Sequence, residues 1–167
     1  MPNHRVEAIA NEFLRRAQEE GRSLTNMQLQ KLPYIAHGWG LATQQRRLIE
    51  STPFAWPYGP VYPELYQALR RYGPMEVADL IHENDGNAFA PDRGRPVIEE
   101  LDEAERQLID AVWNGYKQFD AFTLSNMTHR EGTPWTITQE QYGRAPIPDA
   151  LIQAHYEQLI RERTSAQ

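Results

Sequence analysis

Residues 55–66 read AWPYGPVYPELY, with three prolines, three tyrosines, a tryptophan and a glycine in twelve positions. Proline removes a backbone donor and fixes φ, so neither a helix interior nor a central strand can run through such a stretch. Gly59 permits a backbone conformation that a side chain would oppose, and Pro57 and Pro60 stiffen its flanks. The chain must therefore make one rigid aromatic turn here, to which the neighbouring elements have to conform. Pro63 then suits the first turn of a helix, with Glu64 at its positive end and Tyr62, Leu65, Tyr66, Leu69 and Tyr72 on one stripe. Two roles for the turn stay open. Trp56 and the tyrosines can lock helices together, or they can present a preorganised surface to a partner, since such residues dominate binding hot spots. Both hold at once if Trp56 points inward and a tyrosine outward.

The rest of the chain reads as helices. Val6, Ile9, Ala10, Phe13, Leu14 and Ala17 recur on a 3.6-residue period and predict a helix over residues 4–20. Thr25 and Gln28 have the spacing of a capping box opening a second helix, whose buried face would be Leu29, Leu32, Ile35, Ala36 and Trp39. Pro33 inside it predicts a kink, in preference to a helix that starts near Pro33. Residues 47–56 are expected as a short edge strand. Residues 83–96 carry turn chemistry, separating a short hairpin around Phe89 and Val97–Ile98. A long helix resumes after Leu101, with Asp102 and Glu105 as a cap pair and Leu108, Ile109, Val112, Trp113, Tyr116 and Phe119 inward. A shorter helix over FTLSNMTHRE ends at Gly132, Thr133-Pro134-Trp135 opens another turn, and an amphipathic helix closes the chain. The expected fold is mainly α (α+β): a single compact helical domain, residues 1–167, with a small two- or three-stranded antiparallel sheet.

Composition narrows the function. With 40% hydrophobic and 24% charged residues the chain is globular, and no apolar run approaches a membrane span. The charged N-terminal stretch is unlike a secretory signal, and the absence of cysteine excludes disulfides and thiolate zinc sites and fits a cytoplasmic protein. A net charge of −6 disfavours direct nucleic-acid binding, because the basic pairs at Arg15–Arg16, Arg46–Arg47 and Arg70–Arg71 are short and isolated.

Catalytic chemistry is not written in any motif. The five histidines lack metal spacing, no glycine-rich phosphate loop is present, and the serines lack a nucleophile context. His-Arg-Glu at 129–131 resembles the start of a zinc-deaminase signature, but the cysteine ligands it requires are missing. His37 reads as a buried, hydrogen-bonded histidine rather than a base, His155 as a boundary residue, and His129 as a structural residue at a helix end. A hydrolase using His129 with Glu131 is the rival reading. Neither a cofactor nor a metal is expected.

Leu29, Gln30, Lys31, Leu32, Tyr34 and Trp39, followed by Ala55, Trp56, Tyr58, Gly59, Pro60, Val61, Pro63 and Tyr66, resemble in order the signature of the Panacea domain, the SocA-like antitoxin family. Leu124, Ser125, Thr128, His129, Pro134 and Trp135 are similar to its second block, and IPDALIQAHY to its last helix. Pro33 departs from the family, which has an apolar residue there. The resemblance implies an antitoxin, bacterial or prophage-borne, that neutralises a cognate protein toxin by direct binding. In a variant of that role it is an adaptor delivering the toxin to the ClpXP protease. A prophage accessory protein that binds a host factor is the alternative. The core domain leaves little room for a separate helix-turn-helix, and the oligomeric state stays open. The candidate contact or signature residues are Trp56, Tyr58, Gly59, Pro60, Val61, Tyr62, Tyr66, His129 and Trp135.

Overall fold

The computed structural model describes residues 3–165. Its centre is a helix, α2 (Asn26–Gln44), against which α1 (Val6–Glu19), α3 (Pro63–Leu69), α4 (Glu103–Tyr116), α5 (Ala121–His129) and α7 (Asp149–Ser165) all pack. The remaining elements are the hairpin of β1 (Phe54–Trp56) and β2 (Gly59–Val61), a 3₁₀ turn over Arg70–Tyr72, and α6 (Pro134–Tyr142). The fold is mainly α with a two-stranded antiparallel sheet, as expected.

Local chemistry accounts for the helix ends. Thr25 with Gln28 and Asp102 with Glu105 form the two capping boxes read from the sequence, each satisfying two otherwise unpaired backbone N–H groups. Asp120 caps α5 and Thr133 caps α6, where Pro134 takes the first helical position. The turn expected at Thr133–Trp135 is therefore a helix start. It lies one residue beyond Gly132, whose φ of +84° ends the preceding segment.

Helix α2 is buried on every side from Leu29 to Gly38, not along one stripe. Its neighbours surround it, so Gln30, Lys31, Tyr34 and His37 are buried together with the apolar residues, whereas Trp39 is only half-buried. The helix runs through Pro33, which rules out a start there. His37 is a buried hydrogen-bonded residue as read: Nε2 lies 3.0 Å from Asp149 Oδ1, and Nδ1 accepts from the Ile49 N–H at 3.2 Å.

Two strand expectations change. Residues 47–56 do not form one strand: Ile49 makes an isolated parallel bridge with His4, and regular pairing begins only at Phe54. The hairpin around Phe89 and Val97–Ile98 is absent, and Phe89 is 98% exposed. Segments 81–84 and 93–97 pair through a few backbone bonds around a single His82–Pro96 bridge. Pro91 and Pro96 have no N–H with which to extend that ladder. Side chains pin the loop instead. The Asn11 amide donates to the carbonyls of Ile81 and Val97, both at 2.9 Å, and accepts from the Ile81 N–H at 2.7 Å. Arg93 clasps Asp79 and Asp85 at 2.9 and 2.8 Å. Among the described residues no helix is long and apolar enough to cross a membrane.

Candidate functional site

The aromatic-proline stretch folds into the β1–β2 hairpin itself. Phe54 pairs with Val61, Ala55 with Pro60 and Trp56 with Gly59, which leaves Pro57 and Tyr58 at the tip. Gly59 sits at φ +108°, a region that L side chains avoid. Two three-residue strands are too short to be stable alone, and the hairpin is held from three sides.

Underneath, α2 supplies the anchors. Lys31 is fully buried, and its Nζ donates to the Pro60 carbonyl at 2.8 Å. Gln30, one residue earlier, accepts from the Tyr62 N–H at 2.9 Å and donates to Asn26 Oδ1 at 3.1 Å. Along the outer edge of β1, Ala55 donates to the Ala145 carbonyl at 2.9 Å and the Ile147 N–H to that of Pro53 at 2.8 Å. On the remaining side the Trp135 indole N–H donates to the Trp56 carbonyl at 2.6 Å, and Ser125 Oγ approaches the Tyr58 carbonyl at 3.4 Å.

Electrostatically the underside is unusual. Burial pulls the Lys31 ammonium down to about 7, since no carboxylate pairs with it among the described residues. His129 is shifted below the ordinary imidazole range, first by burial and then by the Lys31 charge, with the Tyr58 backbone opposing. Among the described residues its Nδ1 is buried without a hydrogen-bond partner. Lys31 and His129 both crowd Gly59: a Cβ there would stand 3.1 Å from Lys31 Nζ and 3.4 Å from His129 Nδ1.

The signature residues thus divide by exposure. Gly59, Pro60, Val61 and Tyr62 are buried and belong to the packing. Trp56 is half-buried, edge-on to Tyr66 with ring centroids 5.6 Å apart and covered by the Arg144 guanidinium at 5.3 Å. His129 and Trp135, also half-buried, lie against each other at 5.3 Å. Tyr58 projects from the tip at 71% exposure and Tyr66 is 40% exposed. Phe122 on α5, one turn before Ser125, and Tyr142 at the end of α6 are each 74% exposed. His129 and Glu131 share no hydrogen bond or ion pair among the described residues, so the dyad a hydrolase would need is not assembled. Among these residues no three His, Asp or Glu side chains converge on a metal position.

Reasoning from sequence did not assign roles to Gln30, Lys31 and Arg144. A signal existed for the first two: an adjacent amide and ammonium inside a helix otherwise flanked by Leu29 and Leu32 must find partners if buried. Arg144 gave none, because its position over Trp56 is created by tertiary packing.

The family model described as Antitoxin SocA-like, Panacea domain, matches residues 29–136, which contain α2 from Leu29 onward, the hairpin, α3, α4, α5 and the start of α6. The chain is similar to the Antitoxin SocA of Caulobacter vibrioides, at 29% identity over 135 residues that cover 78% of this chain and 68% of that protein. No solved structure matches the chain.

Proposed function

The chain belongs to the Antitoxin SocA-like, Panacea domain family, and from that premise we propose that it acts as a single domain that neutralises a cognate protein toxin by direct contact. The contact surface is the outer face of the hairpin: Tyr58 at the tip, Trp56 and Tyr66 beside it, and Phe122 and Tyr142 on the flanking helices. The observation that carries this reading is Tyr58. It is a large aromatic side chain, 71% exposed, on a turn that four separate anchors hold rigid. A residue with no packing role on a preorganised support loses little entropy on binding, which is the profile of a hot spot. A net charge of −6 favours encounter with a basic partner. The adaptor role is a variant of the same contact, with the toxin passed on to ClpXP instead of being held.

The test is growth of bacteria expressing the adjacent open reading frame alone and together with this chain. Arrest by the neighbour and rescue by the chain support the reading, and loss of rescue in Tyr58→Ala places the contact at the tip. Toxin levels that fall only when ClpXP is active identify the adaptor variant. A harmless neighbour, with a host protein captured instead, makes the chain a prophage-type accessory protein. If Tyr58→Ala, Phe122→Ala and their combination all rescue like the wild type, the hairpin face is not the contact.

A further inference from the structure

A cavity of about 530 Å³, sharing no lining residue with the hairpin, opens between α2, α4, α5 and α7. Its walls are Trp39, Leu108, Val112, Phe119 and Met127, with Ala111 and Gly115 as the small residues of the α4 side. Its size and apolar lining are those of sites that take one small organic molecule, for which about 300–1,000 Å³ is usual. The polar groups at its rim are already engaged: Thr43 donates to the Trp39 carbonyl, Gln44 to that of Ala104, and Gln107 to Glu103. The Trp39 indole N–H is likewise satisfied by Tyr116 Oη at 3.0 Å.

Arg163 differs from all of these. Its guanidinium lies over the Trp39 ring, 4.9 Å from the centroid, so it is placed at the cavity wall. Among the described residues no carboxylate pairs with it, and none lines the cavity. In a chain carrying −6 overall, an apolar recess whose one charged lining residue is a guanidinium lying over an indole ring, with no carboxylate in the lining, is complementary to an anion with an apolar body. We propose that this cavity is a binding site for a small amphipathic anion, a hydrocarbon or aromatic body bearing a single carboxylate. The body replaces water against Leu108, Val112 and Phe119, and the carboxylate accepts charge-assisted hydrogen bonds from Arg163. An occupant bridges α2, α4 and α7 and so ties the C-terminal helix to the centre of the fold. The site is separate from the hairpin face and does not depend on the antitoxin reading.

The structure also supplies the blocking variant. Gly115 lines the recess, has no positive φ, and a Cβ there meets nothing within 4 Å, so Gly115→Leu adds apolar bulk to the lining with no clash at its Cβ. The full chain is titrated with sodium decanoate and, separately, with 1-decanol, following backbone amide shifts by NMR. Decanoate is expected to move the amides of Val112, Gly115 and Phe119. Arg163→Gln should weaken decanoate about tenfold, the effect of losing one charged hydrogen bond, while leaving decanol unchanged. Gly115→Leu should abolish both with the rest of the spectrum intact. The proposal is overturned by decanoate shifts scattered over the surface, by shifts that persist in Gly115→Leu, by an equal response of decanoate and decanol to Arg163→Gln, or by no binding of either probe.

Discussion

Lys31 Nζ donates to the Pro60 carbonyl across 2.8 Å, so that a fully buried ammonium on α2 anchors the strand leaving the hairpin tip. The pairing joins two segments 29 residues apart, and it ties the stability of the hairpin to the protonation of one amine.

Stability therefore carries a lysine signature. Burial lowers the folded Lys31 to about 7, whereas an unfolded lysine titrates near about 10.4. Between those values the unfolded chain binds more protons, so the Lys31 contribution to stability rises with pH, and the penalty is complete only below about 7. Denaturant unfolding at pH 7 and pH 9.5 should show Lys31 contributing an increase of about 2–3 kcal/mol between the two. Lys31→Met should remove that increase. An identical pH dependence in the variant would mean that the amine is not desolvated.

His4 predicts the opposite slope. Its Nδ1 and Nε2 lie 2.8 and 2.9 Å from Glu99 and Glu105. Burial opposes the charged ring, but the hydrogen bonds and charges of Glu105 and Glu99 outweigh it and raise the imidazole above its ordinary value. A raised folded value gives stability that is complete below about 6.5, the unfolded value, and is lost as pH climbs through the folded one. His4→Gln should cost about 1–3 kcal/mol at pH 6 and less at pH 9, read from unfolding midpoints. A cost independent of pH would make the contact one of shape alone.

Two helical glycines should respond in opposite directions to alanine. A Cβ at Gly38 would overlap the ring of Tyr156, which α7 packs against α2, whereas one at Gly115 meets open space. Gly38→Ala is expected to destabilise by about 1–3 kcal/mol through overpacking. Gly115→Ala should be neutral or stabilise by up to about 1 kcal/mol through helix propensity. Thermal melts of the two variants separate them, and equal losses would contradict the close approach of α7.

The tyrosines of the hairpin should separate contact from packing. Tyr62 is fully buried and Tyr58 is 71% exposed. Tyr62→Ala is expected to cost about 3–5 kcal/mol, as loss of a large core side chain does. Tyr58→Ala should stay within about 0.5 kcal/mol of the parent while losing partner binding. A destabilised Tyr58→Ala would assign the tip to the fold.

Periodicity and capping chemistry are local properties, and there the sequence was sufficient. The boxes at Thr25–Gln28 and Asp102–Glu105 and the apolar stripe of α1 need no distant partner, so their spacing alone determined them. The rigid turn at Gly59 was legible for the same reason, since proline and glycine act on their own backbone. The strand expected over 47–56 and the hairpin at Phe89 failed because pairing depends on a partner that propensity does not name, and because prolines interrupt the ladders. Only the tertiary structure decided that α2 is enclosed on all sides, that Gln30 and Lys31 serve the hairpin, and that Tyr58 faces outward while Tyr62, four residues on, is buried. Each of those outcomes is a matter of which surfaces meet across long stretches of chain. Desolvation acts on the completed packing, so the same tyrosine or lysine becomes an anchor or a contact according to what closes over it.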